Sequence, residues 1–155
     1  MPEGKMPESS PRVVLNHLIE SCTDGEHGYR HAADLVTDQA LKSLFTEMAD
    51  NRARYAAALV PHAQRFGGPA PASGTAGASV HRRWMDIRNR LSGHDDGTVL
   101  AEARRGDAVT VLVFKSALDG VLPATVRDLV ERQFTELRTA HEYIDELERT
   151  RLIGI

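Results

Sequence analysis

The chain has 155 residues, of which 41% are hydrophobic and 5% aromatic, which fits one domain with an aliphatic core. Its 22 acidic residues exceed its 19 Lys and Arg residues, and this balance excludes a polybasic protein built to neutralise phosphates. The single Cys22 excludes internal disulfides and CxxC motifs.

No apolar run is long enough to span a bilayer, and the segment MPEGKMPESSPR has no apolar stretch of the kind found in signal peptides. We therefore expect a cytoplasmic protein without membrane contacts. Residues 1–155 are predicted to form a single domain in which residues 1–10 are flexible.

The first half of the sequence predicts two long helices joined by a short turn. Ser10 before Pro11 marks a helix start, because a hydroxyl cap precedes a proline at the first helical position. Residues 37–38 form the break between the helices, and Pro61 predicts a kink or an early end of the second one. Apolar residues at helical spacing predict the inward faces: Val14, Leu15, Leu18, Cys22, Tyr29, Ala33 and Val36, then Leu41, Leu44, Phe45, Met48, Tyr55, Leu59 and Phe66.

Residues 67–78, GGPAPASGTAGA, have the composition of a flexible linker. The next residues, 79–91, predict a short amphipathic helix with one apolar side and several basic residues. For the basic residues a solvated outer face is favoured over a nucleic-acid patch. We expect self-association as a homodimer through the apolar side, which consists of Val80, Trp84, Ile87 and Leu91.

The second half of the sequence predicts two further long helices. Asp95 and Asp96 open the third helix and Gly120 closes it, while Pro123 opens the fourth. Each pair of long helices has a short connection, whereas the connection between the pairs is long. Two antiparallel hairpins with one long crossover are the ferritin-like four-helix bundle, so the sequence predicts this all-α fold with a short extra helix in the crossover.

Five stretches are similar to a bacterial family of ferritin-like bundle proteins that carries no assigned function. They are LNHLIESCTDGEHGY (15–29), LKSLF (41–45), SVHRRWMDIR (79–88), LAEARRGD (100–107) and LVERQFTELRTAH (129–141). The resemblance implies a place in the superfamily of ferritin, bacterioferritin and rubrerythrin. It supports the fold and implies no particular activity.

A metal site in the bundle core is one hypothesis for function. Ferritin-like metal proteins take carboxylate and histidine ligands from all four helices. Counting residues from the turns places Glu26 opposite residues 47–51, and Glu102 opposite His141. Glu26, Glu47, Glu102 and His141 are therefore the candidate ligands, and iron, manganese or zinc would suit them. The diagnostic Glu-x-x-His motif is incomplete in both helices that should carry it.

The alternative is a metal-free polar network in a non-catalytic, oligomerising or stress-related structural bundle. In this interpretation Glu26, Glu102 and His141 pair with Arg52, Arg105 or Arg138. The pair His27 and His31, at i and i+4, is interpreted as part of a solvated face, and Cys22 as a small buried hydrophobe. The sequence assigns no catalytic residue.

Overall fold

The computed structural model describes residues 10–68 and 95–152, and the regular secondary structure of these residues is entirely α-helical. The helices are α1 (Pro11–Leu35), α2 (Gln39–Arg65), α3 (Asp96–Asp119) and α4 (Ala124–Leu152). The all-α prediction with four long helices is confirmed. The predicted linker beyond residue 68 and the predicted short helix with Val80, Trp84, Ile87 and Leu91 lie outside the described residues. None of the helices in the described ranges is long and apolar enough to cross a membrane.

Three of the helix starts carry a side-chain cap, as the sequence predicts. The Ser10 hydroxyl accepts a hydrogen bond from the backbone N–H of Val13 at 3.3 Å. An Asp38 carboxylate oxygen accepts two backbone N–H groups at the start of α2. The Asp95 carboxylate accepts the N–H of Thr98 at 2.8 Å. These caps satisfy backbone donors that the first helical turn leaves without a partner.

The end of α2 is a Schellman motif formed by two glycines. The helix continues for four residues beyond Pro61, so the proline does not end it. Gly67 then adopts a φ of 93°, and its N–H donates to the carbonyl of Gln64. The N–H of Gly68 donates to the carbonyl of Ala63 at 2.8 Å. A left-handed residue at this position explains why the sequence uses glycine there.

Contacts at one end of the bundle fix the directions of the four helices. The carboxylate of Asp96, at the start of α3, accepts the backbone N–H groups of Thr37 and Asp38, at 2.9 and 2.8 Å, in the α1–α2 turn. Arg151, near the end of α4, lies 3.8 Å from the Asp38 carboxylate. Consequently α1 and α4 run in one direction, and α2 and α3 run in the opposite direction.

The packing order around the bundle follows from the contacts between helices. Helix α1 packs against α2 and α3, and α3 packs against α4. Side-chain hydrogen bonds also join α2 to α4. Helices α2 and α3 therefore face each other across the bundle axis, and each helix is antiparallel to its two neighbours.

The predicted inward faces are mostly buried and form two clusters along the axis. Phe66, the residue that follows the end of α2, is the clear exception, because it is 37% exposed. The core also contains buried polar and charged side chains. These are Asn16, Ser21, Arg52, Glu102, Asp107, Thr110 and Gln133.

Candidate functional site

The polar centre of the bundle is built by residues that hold core positions in three helices. Arg52 follows Met48 by four residues and precedes Tyr55 by three, so helical periodicity directs it inward with them. Asp107 occupies the corresponding position on α3, between Ala103 and Thr110. His141 does so on α4. The three side chains meet at one level of the bundle.

Arg52 and Asp107 form an ion pair without contact with solvent. The Arg52 Nη2 atom donates to Asp107 Oδ1 at 2.5 Å, and both side chains are 0% exposed. His141 Nδ1 lies 3.0 Å from Asp107 Oδ2, so the carboxylate has a partner on each oxygen. Burial alone would raise the pKa of Asp107, but Arg52 and His141 outweigh it and hold that pKa below its ordinary value. Asp107 is therefore a buried carboxylate anion.

Aromatic rings complete the surroundings of the Arg52 guanidinium. Its central carbon lies 5.4 Å from the ring centroid of Tyr29 and 5.9 Å from that of Tyr55. The Nε and Nη1 atoms of Arg52 have no hydrogen-bond partner among the described residues. The faces of the rings therefore supply part of the electrostatic stabilisation that water gives an exposed guanidinium.

Two small residues on α1 adjoin this centre. A methyl group at Gly25 would lie 3.5 Å from Arg52 Cγ, which is an ordinary van der Waals contact. A methyl group at this position is therefore accommodated against the stem of the arginine. Cys22 is fully buried, and burial raises the pKa of its thiol to about 12. The thiol therefore stays protonated and packs as a small hydrophobe, as the sequence suggests.

His141 connects the buried centre to the surface. Its side chain is 21% exposed and lines a cleft of about 390 Å³ between α3 and α4. Because Nδ1 faces the Asp107 carboxylate, the neutral ring carries its proton on Nδ1 and leaves Nε2 as an acceptor. Lys115 and Arg138 also line the cleft, and each is paired with an acidic residue of its own helix.

The four candidate metal ligands are not brought together. Glu26 is 23% exposed and pairs at 3.0 Å with Arg30 of its own helix, which also contacts Asp50 of α2 at 3.1 Å. Glu47 is exposed on α2. Glu26 therefore reaches the second helix only through Arg30 and is less buried than its place between Cys22 and Tyr29 suggests.

The other two candidates lie at different levels. Glu102 is buried and pairs with Arg105 on its own helix, which is one of the pairings that the polar-network interpretation names. The residue opposite His141 is Asp107, five residues further along α3, or about 7.5 Å. Placing Glu102 opposite His141 was wrong, because the α3–α4 turn is not symmetric. Aligning Asp107 with His141 leaves the first turn of α4 beyond the end of α3, and Arg127 reaches back to the Leu118 carbonyl at 3.0 Å.

Glu26, Glu102 and Asp107 are each already paired with an arginine. Within residues 10–68 and 95–152, no group of three or more His, Cys, Asp and Glu side chains is arranged to hold a metal ion. The pairing of Arg52 with Asp107 was not predicted from the sequence. Its signal was the run Met48, Arg52, Tyr55 and Leu59, in which an arginine occupies a core position.

The sequence matches a known protein family. The model of the family described as Domain of unknown function (DUF2383) matches residues 12–120, which include α2, α3 and all of α1 except its first residue. This match covers more than two thirds of the chain. No curated protein matches the sequence significantly.

Proposed function

The chain belongs to the family described as Domain of unknown function (DUF2383), and we propose that it is a non-catalytic, self-associating bundle of the ferritin-like class. In this proposal a buried ion-pair network takes the place that a metal centre occupies in ferritin-like metal proteins. The description of the family assigns no activity, so the proposal rests on the geometry of the bundle.

The helix directions support the ferritin-like arrangement. Helices α2 and α3 are parallel, so Gly68 and Asp95 lie at opposite ends of the bundle. One long connection between two antiparallel hairpins is the arrangement of ferritin-like folds. Helices joined only by short turns would instead alternate in direction along the chain.

The Arg52–Asp107 pair is the observation that carries the proposal against a metal centre. Arg52 is a permanent cation, and it lies at the level where Asp107 and His141 would otherwise be the natural ligands. A metal cation there would be repelled by the guanidinium and would compete with it for the same carboxylate. The donor set in the described residues therefore does not fit iron, manganese or zinc.

Self-association is supported by the sequence alone. Val80, Trp84, Ile87 and Leu91 share one side of the predicted short helix, and Trp is favoured in the cores of interfaces. A two-fold dimer is the commonest closed assembly. These residues lie outside the described ranges, so their part in an interface remains a prediction.

Elemental analysis of protein purified without an affinity tag tests the metal-free centre. We expect far less than one equivalent of iron, manganese or zinc, both as purified and after incubation with each ion followed by gel filtration. The proposal fails if one equivalent of a metal is retained and Glu102→Gln or His141→Gln abolishes its binding. Glu142→Gln is the matched control, because Glu142 is an exposed carboxylate one residue from His141.

A further inference from the structure

A long groove runs between α2 and α4 on one side of the bundle. Its volume is about 740 Å³, which is large enough for a small organic ligand. Leu44 and Met48 form apolar parts of its wall, and Tyr143 stands at its edge with 58% of its surface exposed. The groove therefore offers apolar and aromatic surface for the hydrocarbon part of a ligand.

The charge of the groove has a single sign. Glu47 and Glu136 are the charged residues among those that line it, and the lining contributed by the described helices contains no Lys, Arg or His. Tyr55 donates its hydroxyl proton to Glu136 Oε1 at 2.8 Å, which fixes that carboxylate at the wall. Glu47 has no ion-pair partner within the described part of the chain. Such a lining is complementary to a ligand that is apolar along its length and cationic.

The spacing along the helices gives the length of that ligand. Tyr55 and Glu136 are in contact and mark one level of the groove. Glu47 precedes Tyr55 by eight residues, and this places it about 12 Å further along the axis. Tyr143 follows Glu136 by seven residues on the antiparallel helix, or about 10 Å in the same direction. One end of the groove therefore offers Glu136, and the other end offers Glu47 together with the ring of Tyr143.

We propose that the α2–α4 groove binds a linear organic dication of the polyamine class, with about 12 Å between its outer cationic groups. One ammonium group pairs with Glu136, and the other pairs with Glu47 and contacts the face of Tyr143. The methylene chain between them covers Met48 and Ala140, which lie between the two levels. The groups that bind the ammonium ions in this proposal, Glu47, Glu136 and Tyr143, do not belong to the Arg52–Asp107–His141 network. Tyr55 adjoins both sites, because its ring lies beside Arg52 and its hydroxyl donates to Glu136.

A series of diaminoalkanes measures the predicted spacing directly. Isothermal titration of the full chain at low ionic strength compares diaminobutane, diaminooctane, diaminododecane and the monoamine octylamine. We expect diaminooctane to bind most tightly, because its extended length matches the separation of the two carboxylates. The affinity should fall as salt is added, since both ion pairs are close to solvent.

Single substitutions identify the groove as the site. Glu47→Gln and Glu136→Gln should each weaken diaminooctane binding by about two- to fivefold, the range expected for a partly exposed ion pair. Glu142→Gln should leave it unchanged, because Glu142 lines the α3–α4 cleft instead. Circular dichroism and the urea midpoint establish that each variant is folded.

Three results would overturn the proposal. Absence of heat with every diamine would do so, as would equal affinities for diaminobutane and diaminooctane. An effect of Glu142→Gln as large as that of Glu47→Gln would reduce the binding to nonspecific attraction by surface acids. None of these results bears on the metal content of the protein, so this proposal and the proposed metal-free centre fail separately.

Discussion

Removing the guanidinium of Arg52 should destabilise the protein far more than removing a charged group from its surface. In Arg52→Met the apolar stem is largely retained, whereas the carboxylate of Asp107 stays buried, loses the guanidinium and keeps its contact with His141. Breaking one side of a buried ion pair costs about 3–5 kcal/mol. For a chain of this size each kcal/mol corresponds to about 2–4 °C, so the melting temperature should fall by about 10 °C.

Substituting the partner Asp107, alone and together with Arg52, separates the effect of charge from the effect of packing. Asp107→Leu leaves the buried guanidinium without its carboxylate and should cost a similar amount. In the double variant Arg52→Met/Asp107→Leu neither charge remains, and replacing a buried pair by apolar residues is often neutral. We therefore expect the double variant to be clearly more stable than either single variant.

Urea unfolding of the four proteins at pH 7, followed by circular dichroism, gives the coupling free energy of the pair. Lys115→Met is the control, because the Lys115–Asp119 pair of 3.3 Å is exposed and should contribute less than about 1 kcal/mol. The reasoning is refuted if Arg52→Met costs no more than this control. It is also refuted if the costs of the two single substitutions simply add in the double variant.

Four further predictions concern other features of the chain. The pKa of Asp107 is lowered in the folded state. The contribution of Asp107 to stability is therefore complete above about pH 4 and is lost as the pH falls through that lowered pKa. Urea midpoints between pH 3 and 6 should consequently fall less steeply in Asp107→Asn than in the wild type. Gly25→Ala should stabilise α1 by up to about 1 kcal/mol and Gly25→Leu should destabilise it, as thermal unfolding would show. Gly67→Ala should cost about 1–2 kcal/mol in urea unfolding because of its φ of 93°. Trp84→Ala should convert a dimer to a monomer in sedimentation velocity, and a wild type that is monomeric at tens of micromolar contradicts this.

The helix boundaries were predictable because they depend on short-range chemistry. Ser10, Asp38 and Asp95 cap backbone groups two or three residues away, and the Gly67-Gly68 pair closes α2 through bonds within six residues. All of these partners are close together in the sequence. A single sequence therefore contains the information that places them.

The polar centre was harder to predict for two physical reasons. Arginine is rarely buried, so the core position of Arg52 suggests an exposed or half-exposed residue until its partner on α3 is known. The level at which α3 meets α4 also depends on the geometry of one turn. An error of five residues at that turn places Glu102 instead of Asp107 opposite His141. A candidate metal ligand then stands where the structure has a member of the buried ion pair.

The Arg52–Asp107 pair also determines how the two hairpins align with each other. Arg52 belongs to the first hairpin and Asp107 to the second, and the apolar residues around them recur every three or four positions. Sliding one hairpin along the other by a helical turn, about 5.4 Å, would bring new apolar residues together at little cost. It would also leave a guanidinium and a carboxylate buried apart, which is strongly unfavourable. Two hairpins produced as separate chains should therefore assemble in one alignment only, although the apolar residues of the core recur at regular spacing.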